Sequence, residues 1–201
     1  MELDRVVRRR RMVRNYDADR PIPGEVVERL LEYAVHAPSA GFSQGWGFLV
    51  LTDAGDRDLF WRACSPEVTT PWSEGMQRAP LIIVPHSNRD MYLSRYAEAD
   101  KGWTDKDEAR WPVPYWHIDA GFASLLVLLG AVDAELGACF FGIPPERFDA
   151  YRAAFDVPVE FTPIGAISIG YPASDRRSPS LKRGRRPVAD VAHRGRWGRP
   201  Y

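Results

Sequence analysis

The feature that most constrains the fold is the stretch His117–Gly137, which is apolar on nearly every side. From Ala120 to Val132 it contains no charged residue. A helix that is hydrophobic all round is buried in a protein core or in a membrane. A membrane span needs about 20 apolar residues, and acidic residues at 119, 133 and 135 interrupt this stretch too early. The sequence therefore predicts a central core helix, whose small residues allow close packing, including against a partner chain.

Helical and strand-like patterns alternate along the rest of the chain. Helical spacing of apolar residues predicts helices over Gly24–Ala37, about Asp56–Cys64 and about Glu146–Phe155. Short apolar runs predict strands over Trp46–Thr52, Leu81–Val84, Ala138–Phe141 and Ile164–Tyr171. Strands separated by helices indicate a mixed α and β fold, and 201 residues fit a single domain.

Two segments differ in character from this core. Residues 87–116 are charged, with interspersed aromatic residues: Tyr92, Tyr96, Trp103, Trp111, Tyr115 and Trp116. A long irregular segment of this kind is uncommon in a compact domain and often serves as a lid, so we predict a lid insertion here. Residues 173–201 are polar, basic and proline-containing, which predicts a C-terminal arm.

The charge is neutral in total but unevenly distributed. Residues 1–20 contain seven arginines and four acids, and residues 175–201 contain nine basic residues and two acids. Residues 21–174 contain eleven basic and twenty-one acidic residues. Nucleic acid would need a broader basic surface than this acidic body offers, so we expect no nucleic-acid partner. Solvated basic faces stay an alternative, but two basic segments that converge on one small phosphate explain the distribution more simply, because guanidinium groups bind phosphate bidentately.

Several common site types lack their sequence signals. Cys64 and Cys139 match no metal or redox spacing, and the four histidines form no ligand pattern, so we predict no metal site. Buried reduced thiols and the lack of an apolar run after the N-terminal basic residues are typical of a cytoplasmic protein without a membrane anchor. Residues 41–45 match Gly-x-Ser-x-Gly, but hydrolases need a strand before that serine and a helix after it, and here the order is reversed.

A series of short motifs resembles the nitroreductase superfamily of FMN-dependent oxidoreductases. The Arg-Arg-Met-Val-Arg motif at 10–14 and the Ala-Pro-Ser-Ala-Gly-Phe-Ser-Gln-Gly-Trp-Gly-Phe segment at 37–48 begin the series. The later motifs lie at 79–84, 119–121, 136–142, 165–172 and 185–187, in the order of the family. The resemblance covers about residues 5–192 apart from the lid.

The resemblance implies an α+β, nitroreductase-like FMN-binding fold with a central antiparallel or mixed sheet flanked by helices. It also implies a domain-swapped homodimer in which the C-terminal arm embraces the partner and two FMN sites lie at the interface. By the same resemblance, Arg10, Arg11, Met12 and Arg14 contact FMN, and Arg185 and Arg183 bind its phosphate. The implied ring contacts are Pro38, Ser39 and Ala40 from the partner chain, together with Phe140, Phe141 and Gly142.

Some positions depart from the usual pattern of the family. Met12 replaces a serine, Phe42 an asparagine and Gly45 a proline, and residues 71–75 lack the Asn and Lys of many members. These changes weaken an expectation of standard nicotinamide and nitroaromatic specificity.

The implied activity is electron transfer from NAD(P)H to a small planar acceptor through the flavin. The flavin performs the chemistry, so no catalytic side chain is strictly required. Arg14 would stabilise charge on the reduced flavin, and aromatic side chains would sandwich a planar substrate. The candidates for that substrate slot are Phe42, Trp103, Trp111, Tyr115 and Trp116.

Other functions stay open at this point. Dehalogenase-like chemistry would use a Glu/Tyr/Lys set, for which Tyr92 or Tyr96, Glu98 and Lys101 supply the residue types. Flavin cleavage to dimethylbenzimidazole and non-enzymatic binding of FMN or a deazaflavin are further alternatives. The sequence leaves open the choice between NADH and NADPH and the physiological acceptor.

Overall fold

The computed structural model describes residues 1–65, 70–175 and 178–201. Its helices are α1 (Leu3–Arg9), α2 (Gly24–Val35), α3 (Ala54–Cys64), α4 (Pro71–Gln77), α5 (Arg89–Tyr96), α6 (Tyr115–Asp133) and α7 (Phe148–Phe155). Its strands are β1 (Trp46–Leu51), β2 (Leu81–Ser87), β3 (Gly137–Phe141), β4 (Thr162–Pro163) and β5 (Ala166–Gly170). Short 3₁₀ turns cover Ala40–Phe42, Glu108–Arg110, Pro145–Arg147, Pro179–Arg183 and Val188–Asp190.

The strands form one sheet in the order β1-β2-β5-β3, with the short β4 pairing to β2. Every pair of these strands is antiparallel. The residues of β2 are buried throughout, which explains why its sequence is almost continuously apolar rather than alternating. The prediction of an antiparallel or mixed sheet flanked by helices is therefore confirmed, and the sheet is of the antiparallel kind.

Helices cover both faces of the sheet, because successive side chains of a strand point to opposite faces. Ile82 and Val84 of β2 pack on one face in a cluster with Phe60 of α3. Leu81 and Ile83 pack on the other face in a cluster with α2 and α6.

The central helix is α6, and its position in the core confirms the main sequence prediction. It is long and apolar enough to span a membrane by length and composition, but more than half of its apolar window is buried inside the domain. It ends earlier than the predicted Gly137, because Glu135 adopts a left-handed conformation with φ 60°. The Leu136 N–H then bonds to the Ala131 carbonyl at 2.7 Å, closing a Schellman-type turn.

The sequence reading missed three helices. Helix α1 lies within the basic N-terminal segment and buries only Val6. Helix α4 begins at a capping box between Thr70 and Ser73, with Pro71 as its first residue. It is only seven residues long, which is too short for a clear helical pattern in the sequence. Residues 87–116 were predicted to be irregular. They contain helix α5 and the 3₁₀ turn at Glu108–Arg110, so part of the segment is regular. Two residues of the predicted arm, 176 and 177, lie outside the described residues.

A buried His86–Tyr151 pair makes the stability of the fold depend on pH. The Tyr151 hydroxyl lies 2.8 Å from His86 Nε2, and His86 Nδ1 lies 3.3 Å from the Gly47 carbonyl oxygen. Burial lowers the pKa of His86 to about 4. The unfolded chain therefore binds a proton near its ordinary pKa of about 6.5, whereas the folded chain does not.

We expect the stabilising effect of neutral His86 to be complete above about pH 6.5 and to be lost as the pH falls towards 4. Between pH 7 and pH 4.5 the loss in unfolding free energy should be roughly 2–3 kcal/mol. Urea unfolding of the wild type and His86→Gln at both pH values isolates this contribution from that of the carboxylates. An identical pH dependence in the two proteins would contradict it.

Both cysteines are buried, as the sequence predicted. Burial raises the pKa of Cys64 to about 12 and that of Cys139 to about 11. Because only the thiolate reacts, we expect iodoacetamide to modify the native protein roughly 100-fold or more slowly than a free cysteine at pH 8. Mass spectrometry of the native and urea-unfolded protein checks this, and equal rates in the two states would contradict it.

Candidate functional site

The extended segment Arg10–Arg14 lies beside β3. Its first residues line one cavity, and Arg14 lines a second one. Met12 pairs with Ala138 in a parallel bridge, and the Val13 N–H donates to the Ala138 carbonyl at 3.0 Å. The Phe140 N–H donates to Met12 Sδ at 3.4 Å. Since an extended chain rises about 3.3 Å per residue, Arg10 and Arg14 are separated by about 13 Å.

The first cavity, which we call the arginine cavity, has a volume of about 650 Å³. Arginines from both chain ends line it: Arg8, Arg9, Arg10 and Arg11 from the N-terminus and Arg185 from the arm. Arg10 Nη1 is buried and has no hydrogen-bond partner among the described residues. Arginine side chains bind phosphate oxygens through charged hydrogen bonds, so a cavity lined by five of them suits an anion such as a phosphate group.

The remaining predicted arginines are placed differently. Arg11 forms an ion pair with Asp175 at 2.8 Å, and the same carboxylate oxygen accepts the Arg14 N–H at 3.1 Å. This pairing neutralises Arg11 at the edge of the arginine cavity, which the sequence did not indicate. Arg183 is exposed and is not part of the lining of either cavity.

The second cavity, which we call the Trp72 cavity, has a volume of about 520 Å³. Arg14, Asn15, Trp72 and Arg78 are among its lining residues. The close approach of α4 to the Arg14 carbonyl requires Gly75, because a Cβ there would overlap the carbonyl oxygen.

Trp72 and Arg78 were not predicted as candidate site residues. Trp72 lies within residues 71–75, where only the Asn and Lys of the family were expected, and a tryptophan in that segment was the available sequence signal.

The Phe141 side chain lies between the core and Trp72 of the Trp72 cavity. Its ring stacks on Trp61 with centroids 5.4 Å apart and meets Trp72 edge-on at 5.9 Å. Phe140 is partly buried, and Gly142 is exposed with open space around its Cα. Met12, Arg14, Phe140 and Phe141 therefore lie in one region, between two cavities that suit an elongated molecule with an anionic tail and a planar ring.

The other predicted ring contacts lie at the opposite end of α6. The Ala40 N–H donates to Asp119 near the start of α6, whereas Val132 and Leu136 line the arginine cavity near its end. At about 1.5 Å per residue, Asp119 and Val132 are about 20 Å apart along the helix. One chain therefore does not bring Pro38, Ser39 and Ala40 to its own arginine cavity.

The aromatic residues of the predicted lid, residues 87–116, pack against one another in a cluster. Trp111 lies at its centre, with ring centroids 4.5 Å from Tyr96, 5.5 Å from Trp103, 5.7 Å from Tyr115 and 6.1 Å from Trp116. Phe42 is 73% exposed and follows Gly41, which packs against Tyr96. The candidate substrate residues thus lie near one another, with Phe42 as the ring that is open to contact.

The Glu/Tyr/Lys set and the Gly-x-Ser-x-Gly match both consist of residues that make structural contacts. Tyr92 donates to Asp119, Lys101 lies over the Tyr96 ring, and Glu98 pairs with Arg95, so the Glu/Tyr/Lys set is engaged within the lid. Ser43 of the Gly-x-Ser-x-Gly match is buried and donates to the Ala40 carbonyl at 2.7 Å.

A stripe of apolar side chains on α6 faces solvent. It consists of Tyr115, Ile118, Phe122 and Leu125, which are 36, 37, 44 and 46% exposed. Their spacing of three or four residues places them on one side of the helix, opposite its buried face. A contiguous exposed apolar surface of this kind is typical of a protein–protein interface.

Comparisons with known proteins agree with this architecture. The model of the nitroreductase family matches residues 7–171. A protein of Methanothermobacter thermautotrophicus, provisionally named NADH dehydrogenase/NAD(P)H nitroreductase, is 28% identical over 177 residues, which cover 87% of this chain and 80% of that protein. The 5,6-dimethylbenzimidazole synthase of Rhodospirillum rubrum is 29% identical over 188 residues, covering 90% and 87%. A solved structure from Desulfovibrio desulfuricans, a provisional nitroreductase in complex with FMN, is 25% identical with a TM-score of 0.71, covering 96% and 95%.

Proposed function

Because the chain belongs to the nitroreductase family, we propose that it is an FMN-dependent oxidoreductase that transfers electrons from NAD(P)H to a small planar acceptor. The observation that carries the proposal is the cavity lined by arginines from both chain ends, Arg8–Arg11 and Arg185. This cavity suits the phosphate of FMN, and the adjoining Trp72 cavity suits a flat ring. A family structure solved with FMN supports the choice of cofactor.

The residues of this chain would bind and orient FMN as follows. Arg10 and Arg185 would hold the phosphate, with Arg11 held at the edge by Asp175 and Arg183 as an outer cation. Met12 and Arg14 would lie along the tail and the pyrimidine side of the ring, and Phe140, Phe141 and Gly142 would contact the ring. When bound, FMN would supply the redox chemistry by which electrons pass from the nicotinamide to the acceptor. The positive charge of Arg14 would stabilise negative charge that develops near it.

We further propose a homodimer in which each site is completed by the partner chain. A twofold axis across the stripe on α6 would set the start of one α6 beside the end of the other. The loop carrying Pro38, Ser39, Ala40 and Phe42 would then reach the partner's cavities, whereas the arginine cavity of its own chain lies about 20 Å away along α6. The exposed arm would extend this contact, in a domain-swapped arrangement.

The acceptor would stack against Phe42 and the edge of the lid cluster, with Trp103, Trp111, Tyr115 and Trp116 as the supporting wall. Aromatic faces select planar molecules such as nitroarenes, quinones and enones. Donor and acceptor would use the same slot in turn, which gives a ping-pong mechanism. The family assignment suits a protein that works in the cytoplasm.

The test is anaerobic reduction of the FMN-loaded protein by NADH or NADPH, followed by reoxidation with a nitroarene or a quinone. We expect rapid bleaching of the visible flavin absorbance with at least one donor, recovery with the acceptor and parallel lines in double-reciprocal plots. A bound flavin that neither donor reduces would contradict the reductase and support a non-enzymatic flavin binder.

Flavin cleavage is the second candidate function, favoured by the likeness to a dimethylbenzimidazole synthase. The same reduced protein, exposed to oxygen, distinguishes the two. Chromatography that recovers intact FMN after many turnovers supports the reductase, and stoichiometric appearance of dimethylbenzimidazole supports cleavage.

A further inference from the structure

The loop of residues 39–45, which we call the 39–45 loop, is bonded to α5 along its length. Arg95 Nε donates to the Gly41 carbonyl at 3.0 Å, and the Asn88 N–H donates to the Gly45 carbonyl at 2.8 Å. Gly45 packs so closely on Tyr92 that a Cβ at this position would overlap the tyrosine ring. The loop and the lid helix therefore form one unit rather than two independent segments.

The backbone of this loop needs external support. Gly41, Phe42 and Gln44 have φ values of 61°, 56° and 50°. Left-handed conformations are uncommon for residues other than glycine and persist only where surrounding contacts enforce them. The exposed Phe42 ring is consequently presented by a backbone that other residues must hold in place.

A single buried carboxylate connects this unit to the central helix. Asp119 is 3% exposed, and its Oδ2 accepts the Ala40 N–H and the Tyr92 hydroxyl, both at 2.8 Å. Burial and the neighbouring Asp119 raise the pKa of Tyr92, and its protonated hydroxyl is the donor of this bond. Asp119 thus holds the loop with one bond and α5 with the other.

We infer that Asp119 is a positioning residue, which fixes the 39–45 loop and α5 on α6 so that Phe42 and the lid aromatics are presented to the acceptor as one surface. Its consequence for turnover rests on the proposed function, whereas its effect on the loop and the lid does not. A misplacement of about 1 Å can reduce the efficiency of a positioned reaction by roughly 100-fold. The residue therefore acts on the acceptor step without touching flavin or acceptor.

The experiment compares Asp119→Ala, Asp119→Asn and Tyr92→Phe, with Asp149→Ala as the control. Asparagine retains an oxygen that can accept both bonds, and Tyr92→Phe removes one of them. Asp149 lies on α7 with a fully exposed side chain whose one ion pair, to Arg152, is 4.0 Å long. Exposed pairs of this kind contribute little, so its loss reports mainly the effect of removing a helical aspartate. The readouts are the acceptor KM, the kcat, the FMN affinity, the urea midpoint and the rate at which trypsin cleaves after Lys101, Lys106 and Arg110.

We expect Asp119→Ala to raise the acceptor KM roughly 10- to 100-fold and to accelerate lid cleavage by a similar factor. Asp119→Asn should restore most of both, and Tyr92→Phe should give an intermediate effect. Unchanged KM and cleavage in Asp119→Ala would overturn the inference. So would a rise in KM that comes together with a loss of FMN affinity and a large fall in the urea midpoint, because the three changes together indicate a role in folding alone. If the wild type reduces no acceptor, the proposed function fails, and the cleavage rates still decide whether Asp119 holds the lid.

Discussion

Replacing Phe122 by glutamate is expected to convert the proposed dimer into a monomer and to weaken FMN binding by about 100-fold or more. The side chain lies in the middle of the exposed stripe on α6, and a twofold interface would bury the new charge twice. Burying an unpaired carboxylate costs several kcal/mol. Two such costs in one interface should remove most of the free energy of association. Sedimentation and FMN titration of the same sample measure both effects.

The matched control is Val159→Glu, at an 80% exposed valine outside the stripe. It introduces the same charge on an exposed apolar position and should leave both mass and affinity unchanged. A Phe122→Glu protein that stays dimeric, or a monomer that retains full FMN affinity, would exclude α6 as the seam of a shared site.

Replacing Arg10 by alanine is expected to weaken FMN binding by about 1.5–3 kcal/mol, the range for hydrogen bonds to charged groups. This corresponds to a roughly 10- to 150-fold rise in Kd. Arg185→Ala should act in the same direction at the lower end of that range, because Arg185 is exposed and water screens its charge. Fluorescence titration with FMN at two salt concentrations measures both variants, and the remaining affinity should depend less on salt.

Riboflavin provides the internal control for the arginine prediction, because it has the same ring without the phosphate. Arg10→Ala should remove the preference for FMN and leave riboflavin affinity nearly unchanged. Arg62→Ala, at an exposed arginine on α3, should change neither affinity. An equal loss for FMN and riboflavin would contradict the placement of the phosphate in the arginine cavity.

Most of the architecture could be predicted from periodicity. Strand β2 is buried along its whole length, and α6 is buried over more than half of its apolar window. Continuous apolar runs of this kind are typical of core elements, so both could be placed in the core from the sequence. Helix α1 was not predicted because it has one buried residue, Val6, and therefore no apolar face that would give a helical pattern in the sequence. The end of α6 was placed too late because the left-handed turn at Glu135 has no glycine to mark it.

The site was predictable to a smaller extent. The opposing basic ends indicated an anion site, and the structure does place Arg10, Arg11 and Arg185 around one cavity. The pairing of Arg11 with Asp175 depends on how the arm folds back on the N-terminal segment, which no local pattern records. The Asp119 bonds join residues 79 and 27 positions apart, so they too follow from the tertiary fold alone.

The most direct test of the shared flavin site is size-exclusion chromatography with light scattering and visible absorbance, after incubation with excess FMN. We expect a yellow peak with twice the chain mass of 22.8 kDa and one FMN for each chain. A colourless peak, or a yellow peak with the mass of one chain, would contradict it.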